Sequence, residues 1–316
     1  MMHVRMLVVV PAVFVCMLTG AIQAHSQSIM PTPAEIIALT PEWKGERFED
    51  GRPKVPDSIL DRMEKVELEE AWSVLRGQGY EWQYEGGWKH VHLEEQAAMV
   101  GRALTATYVP KRPDVDTALT EKGHRDGHIG GRNSWPIDML NLRDVYVANI
   151  FGTYEGGPII GGNLSTAIYK NSQNGIVFDG SVRDIAQMET ITGFKGWVRD
   201  WHPSWNYDNM LMEINRPCRI GVAICMPGDV VLAKREGVMF IPPHLAEEVC
   251  TTSEIVRLRD MFGFQRIKEN VYTPGQIDQR WSDEMEKDFS AWLNDHIDEL
   301  PVPKEQIQEL LKVRTW

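Results

Sequence analysis

Apolar positions change their spacing several times along the chain, and each change marks an element. Ile59, Met63, Val66, Trp72 and Leu75 fall roughly on one helical face. They predict a helix from Asp57 or Ser58, either of which can cap it, to about Arg76, where Gly77 and Gly79 end it. From Met99 the spacing shortens. "MVGRALTATYV" alternates loosely, and "DVYVANI" at 144–150 reads as a second strand. The polar, Gly-rich segment between them is long enough to be functional or partly mobile. A helix at about Leu164 to Lys170 follows a run of glycines, and a short apolar strand, Ile176 to Phe178, comes next. Asp179 and Gly180 interrupt that strand, and Arg183 and Asp184 follow at once. Further strands are expected at Arg219 to Cys225, Val230 to Ala233 and Val238 to Ile241, with "MPGD" as a turn between the first two. "PPHLAEEVCTTSEIVRLRDMF" starts a helix with Pro in its first turn. In the tail from Gln276, Trp281, Met285, Phe289 and Trp292 recur at helical spacing. "LPVP" then breaks the pattern before a last helix from Lys304 to about Val313.

The start of the chain follows a different rule. One basic residue, Arg5, precedes the apolar run "MLVVVPAVFVCML", and small and polar residues come after it. This is the layout of an export signal, expected to span residues 1–26, and it points to a periplasmic or secreted protein. The apolar run is short for a membrane span, so no stable span is expected once the signal is removed. Residues 27–56, rich in Pro, Gly and charge, read as an extended arm over the domain surface. Residues 57–265 then form the main domain and 266–316 a helical extension. A net charge of −12 disfavours nucleic-acid binding. Cys218 and Cys225 flank a turn and have two readings, a disulfide or free buried thiols. No CxxC pair supports a structural zinc site.

Two segments carry candidate chemistry. Arg183 and Asp184 lie just past a strand end, where ligand sites often gather. A carboxylate there can hold a hard divalent cation, and an adjacent guanidinium can grip a substrate carboxylate. The bland alternative is a salt-bridged turn. "GGPIIGGNL" at 156–164 places paired glycines before a helix, where exposed N–H groups favour an anion. Its alternative is a plain tight turn. Trp197, Trp201 and Trp205 recur every four residues and suit either a flat ring such as a sugar or a packed cover. His124, Asp126 and His128, and separately His90 and His92, have side chains suited to a transition metal. His124 or His128 is also a candidate acid or base.

Taken together, "GGNLSTAIYKNSQNGIVFDGSVRD" and "CRIGVAICMPGDVVLAKREGVMFIPPHLAEEV" resemble the RraA-like family. That family includes the regulator of ribonuclease E activity and the metal-dependent 4-hydroxy-4-methyl-2-oxoglutarate aldolases, which also decarboxylate oxaloacetate. The resemblance covers roughly residues 57–260. It implies a layered α/β sandwich around a central mixed β-sheet, assembled as a homotrimer or homohexamer. It implies that Gly161, Gly162, Asn163 and Leu164 form a substrate-binding loop. Arg183 then holds the substrate carboxylate, and Asp184 binds Mg²⁺ or Mn²⁺. The expected function is an exported, divalent-metal-dependent lyase that acts on a small 2-oxo acid or related carbonyl compound through a metal-stabilised enolate. The alternatives are a non-catalytic binding or regulatory protein and a lyase acting on an oxidised carbohydrate. Three departures from the family pattern stand out. Gly162 replaces an acidic residue. Ala233-Lys234-Arg235-Glu236-Gly237 replaces an Ala-Asp-x-Asp-Gly turn. A Trp-rich segment, "GFKGWVRDWHPSWNYDNMLMEINRP", follows Asp184. No strand–glycine–helix unit supports a methyltransferase cofactor.

Overall fold

The structure is a computed structural model that describes residues 29–91 and 98–312. The expected export signal and His92 lie outside the described residues. Among the described residues, no helix is long and apolar enough to cross a membrane.

A mixed sheet forms the centre. Four strands run parallel: β3 (Met99–Pro110), β4 (Asp144–Asn149), β5 (Ile176–Val182) and β6 (Gly196–Trp201). The remaining strands join it antiparallel: β1 (Tyr84–Gly86), β2 (Lys89–Val91), β7 (Asn209–Ile214), β10 (Val230–Lys234) and β11 (Gly237–Ile241). The order is β1-β11-β10-β3-β4-β5-β6-β2, with β7 pairing the far end of β3. A separate hairpin joins β8 (Cys218–Ile220) to β9 (Ala223–Cys225).

Strand alternation assigns each side chain to a face. Leu104, Tyr146, Ile176, Phe178, Leu232 and Ile241 point to the side covered by helices. Ala103, Val145, Val147, Val177, Val231 and Phe240 point the other way, onto the β8–β9 hairpin and Trp88. Both faces are buried, so the parallel strands read as nearly continuous apolar runs rather than clean alternation. Each large side chain buried this way contributes about 1.5–3 kcal/mol.

The helix expected from Asp57 to Arg76 is two helices, α2 (Asp57–Met63) and α3 (Leu68–Gly77). Glu67 and Glu70 form a reciprocal cap that starts the second helix afresh. The break lets Leu60 and Met63 on one helix, and Leu68, Ala71 and Leu75 on the other, share one core. Trp72 points to solvent instead. The Gly-rich connection after β3 is also more ordered than expected. It contains α4 (Pro113–Arg125) and α5 (Trp135–Asp138), and Trp135 is fully buried. The stretch 219–225 turns back at Gly221 instead of forming one strand. Cys218 and Cys225 face each other in register across that hairpin, both as buried free thiols. The C-terminal helix α8 (Ala246–Lys268) runs through position 265, where the main domain was expected to end. Its far half packs with α10 (Asp283–His296) and α11 (Lys304–Leu310) around Phe262, Trp281, Phe289 and Trp292. The tail helix begins at Asp283 rather than Gln276, because a short helix, α9 (Pro274–Ile277), precedes it.

The arm does not simply lie over the surface. It contains α1 (Pro33–Leu39) and a bridge between Arg47 and Pro53, and it inserts Arg52 and Val55 into the interior. The fully buried Arg52 guanidinium donates to Asp50 Oδ2 at 2.7 Å and to Asp144 Oδ2 at 2.9 Å. Asp144 opens β4, so this pair fastens the arm to the central sheet. Pro53 then packs on Gly228, whose φ of +86° and lack of a side chain the contact requires.

Two predictions follow from this packing. Arg52→Met leaves the buried Asp144 with the Asn141 N–H at 2.8 Å and, as its remaining cation, Arg102 Nε at 3.8 Å. It should cost about 3 kcal/mol in urea unfolding, at the low end for a broken buried pair because of that second arginine. The other concerns Asp229, in the turn before β10. Burial without a counter-ion raises its carboxyl from 3.8 to about 7, while the Met226 N–H opposes the shift. The folded state therefore holds this proton more tightly than the unfolded chain. Its stabilising contribution is present in full below about pH 4 and is lost as pH rises through about 7. Asp229→Asn keeps an oxygen for Met226, so wild type should lose stability relative to this variant across that window in paired urea melts.

Candidate functional site

The site is built where β5 ends beside the start of α6 (Gly162–Ser172). The strand runs past Asp179 and Gly180, contrary to the sequence expectation, with an irregularity between Phe178 and Ser181. Asp179 does not break it because Arg199 on β6 donates to its carboxylate at 2.6 Å and the Gly221 N–H at 2.9 Å. Arg199 is itself stacked on Trp88 and bonded to Glu85. Asp179 is therefore a structural lock rather than a site residue.

Past Val182 the chain makes a sharp turn. Asp184 adopts φ +60° and ψ +39°, the left-handed region, and begins the short helix α7 (Ile185–Met188). For a residue other than glycine this costs on the order of 1 kcal/mol. The turn aims the Asp184 carboxylate back at the first turn of α6. Its Oδ2 lies 3.4 Å from the Gly162 N–H and 3.7 Å from Arg183 Nε. Arg183 Nε is buried without a hydrogen-bond partner, whereas the Arg183 and Asp184 side chains as wholes are 37% exposed. The first-turn N–H groups of Asn163 and Leu164 have no helical carbonyl behind them.

Two glycines make this convergence possible. A Cβ on Gly161 would collide with Asp184 Oδ2 and come within 3.0 Å of Arg183 Nε. A Cβ on Gly162 would collide with the Gln187 amide oxygen and lie 2.9 Å from Gln187 Cβ. The structure thus brings Gly161, Gly162, Arg183 and Asp184 together, with Asn163 and Leu164 on the next helical positions. It adds Gln187, which sequence reasoning missed. Its only sequence signal was a glycine at the position where related enzymes carry an acid, and the neutral amide now fills that space.

Two loops border the site. Ser181 Oγ donates to Tyr154 O at 2.7 Å, and the Gly156 N–H donates to Ser204 Oγ at 2.8 Å. Val182 pairs with Trp201, and the His202 N–H donates to Val182 O. These loops expose Phe151, Tyr154, Trp201, Trp205 and Tyr207. The expected tryptophan triplet does not gather. Trp197 lies inside β6, fully buried on the hairpin face, with Nε1 bonded to Lys234 O. Only Trp201 and Trp205 reach solvent, because the segment is a strand followed by a loop and not a helix.

His90, His124, Asp126 and His128 make other contacts, and His92 lies outside the described residues. Among the described residues, no group of three or more His, Cys, Asp or Glu side chains could hold a metal. His124 Nε2 contacts Gly130 O, His128 stacks on Trp135 at 4.7 Å, and Asp126 pairs with Lys122. His90 packs edge-on against Trp197.

The sequence profile of the RraA-like family (Aldolase/RraA) matches residues 80–240, which hold every site residue described above. The chain belongs to this family. No curated protein matches it significantly. Among solved structures, Streptomyces coelicolor RraAS2, described as an unusual member of the RNase ES inhibitor RraA protein family, is 22% identical. It superposes with a TM-score of 0.57 over 67% of this chain and 100% of its own. An uncharacterised protein from Pseudomonas syringae pv. tomato is 20% identical, with a TM-score of 0.56 over 72% of this chain and 100% of its own. A structure titled as novel cellulases from gut-associated microbes is 18% identical, with a TM-score of 0.57 over 73% and 96%. These likenesses share the RraA-like fold, a mixed sheet with flanking helices, and this chain adds a C-terminal helical extension.

The glycine contacts make a specific forecast. Gly162→Ala should lose about 1 kcal/mol or more in urea unfolding, because it pushes on Gln187. Gln187→Ala should restore most of that loss, yet leave the penalty of Gly161→Ala unchanged. A double-mutant cycle reads both couplings.

Proposed function

We propose that this RraA-like protein is a divalent-metal-dependent carbon–carbon lyase that acts on a 2-oxo acid. The observation that carries the reading is the meeting of Arg183, Asp184 and the α6 N-terminus around two obligatory glycines. Strain at Asp184 and the convergence of both side chains on the α6 N-terminus support a binding role, beside the ion pair of 3.7 Å that Arg183 Nε makes with Asp184 Oδ2.

Asp184 offers a hard anionic oxygen, and among the described residues it belongs to no cluster of three or more His, Cys, Asp or Glu side chains. That donor set suits Mg²⁺ or Mn²⁺, which accept few protein ligands and keep several waters, and it does not suit Zn²⁺. Such a cation, when bound, supplies Lewis-acid stabilisation of negative charge developing on the substrate. Arg183 would hold the substrate carboxylate by charge-assisted hydrogen bonds. The N–H groups of Asn163 and Leu164 would donate to the same anionic end. Gln187 can orient a water but cannot take up a proton. Aldol cleavage needs a base to deprotonate the substrate alcohol, whereas decarboxylation does not. The amide in that place therefore favours decarboxylation of a 2-oxo diacid such as oxaloacetate. Export to the periplasm or medium, and assembly as a homotrimer or homohexamer, belong to the same proposal.

The exposed aromatic rim supports a second reading, a lyase for an oxidised carbohydrate, because aromatic faces pack well on sugar rings. One assay separates the two. Oxaloacetate, a 4-hydroxy-2-oxo acid and oxidised sugars are each incubated with Mn²⁺ or Mg²⁺, and again after complete metal removal by EDTA. Turnover should require the metal. Asp184→Asn should lower kcat about a hundredfold or more. Arg183→Lys should mainly raise KM, by about tenfold. Full activity without metal would defeat the proposal.

A further inference from the structure

A second pocket opens where the arm meets the end of the sheet formed by β10 and β11, on the other side of β3 and β4 from Arg183. Its volume is about 270 Å³, near the lower end for small-molecule sites. Leu39 of the arm, Ile224 and Met226 supply apolar walls. Glu42 and Asp229 are the acidic residues of its lining, which holds no Lys or Arg.

Asp229 is the unusual member. It is 2% exposed and forms no ion pair among the described residues. Its Oδ2 accepts from the Met226 N–H at 2.8 Å, which explains its part in the turn but supplies no counter-charge. Buried carboxyls are normally paired with a cation, because an isolated one is costly to ionise. Burial pushes this one up to about 7. On the opposite wall, Tyr80 Oη and His244 Nε2 lie 3.2 Å apart, and burial lowers the His244 pKa, so neither supplies a standing positive charge. The pocket is thus apolar and acidic, and it lacks a resident cation.

We propose that this pocket binds a small apolar molecule carrying a protonated primary amine, whose ammonium supplies the counter-charge that Asp229 lacks and whose body lies on Leu39, Ile224 and Met226. An anion is repelled by Glu42 and Asp229. A neutral molecule fills the space but leaves Asp229 uncompensated. Because residues 39–42 of the arm form part of the pocket, an occupant also fastens the arm to the sheet and stabilises the folded chain by mass action.

Ligand-observed NMR on the full chain tests this with three probes of one shape: benzylamine, benzyl alcohol and benzoate. Benzylamine should bind about tenfold more tightly than benzyl alcohol, and benzoate should not bind. Asp229→Asn should erase the advantage of the amine. Ile224→Trp, at a position 36% exposed, should block both neutral and cationic probes. If Asp229→Asn does not fold, Glu42→Gln at the exposed mouth should still cut the amine preference by about threefold. The proposal is overturned if benzoate matches benzylamine, if no probe binds, or if these variants leave the amine preference intact. Lyase turnover is not read here, so the outcome is independent of the reaction proposed for Arg183 and Asp184.

Discussion

At Gly161 and Gly162 two polypeptide segments approach so closely that no side chain fits between them. The β5 exit loop can bring Asp184 and Gln187 against the α6 start only because these two positions end at Cα. Everything chemical about the site depends on that approach. It turns the Asp184 carboxylate toward a helix N-terminus, whose partial positive charge favours an anionic ligand. It also leaves Arg183 Nε buried without a hydrogen bond, 3.7 Å from Asp184 Oδ2. The left-handed backbone at Asp184 has a cost that the surrounding packing must offset.

The sheet beneath supplies the rigidity for this. Its parallel strands are covered on one face by helices and on the other by the β8–β9 hairpin. Asp179, Arg199, Glu85 and the Gly221 N–H tie β5, β6, β1 and the hairpin into one half-buried polar network. Such a network is favourable only when every member is satisfied. Arg52 and Asp144 join the arm to β4, while Asp144 Oδ1 makes no hydrogen bond and relies on Arg102 Nε at 3.8 Å. These two networks explain how charged residues sit inside apolar runs without breaking the strands.

The departures from the family pattern fall into place around these anchors. Gly162 stands where the resemblance expects an acidic residue, and the Gln187 amide oxygen lies where a Cβ at that position would be. The Trp-rich segment divides its rings between the core and the rim. Trp197 stabilises β6 from within, while Trp201 and Trp205 join Tyr154 and Tyr207 on loops that border the site. The altered turn at 234–236 places Lys234 2.7 Å from Glu67 at the start of α3, a structural rather than a chemical use.

Local pattern was enough to locate most of the strands, the α6 start and the residues that the fold brings together beside it. Alternation and glycine placement are properties of neighbouring residues and need no tertiary partner to be read. The family resemblance supplied the fold, and with it the roles expected of Gly161–Leu164, Arg183 and Asp184. Other features depended on contacts between residues far apart in the chain. Asp179 looked like a strand breaker until Arg199 neutralised it from the neighbouring strand. Arg52 looked like a surface residue until Asp144, 92 positions away, drew it inside. Gln187 carried no signal beyond the glycine at position 162, because its place was defined by the absence of a side chain on another segment. Burial, charge pairing and steric exclusion are set by what lies across a contact, and only the folded chain determines that.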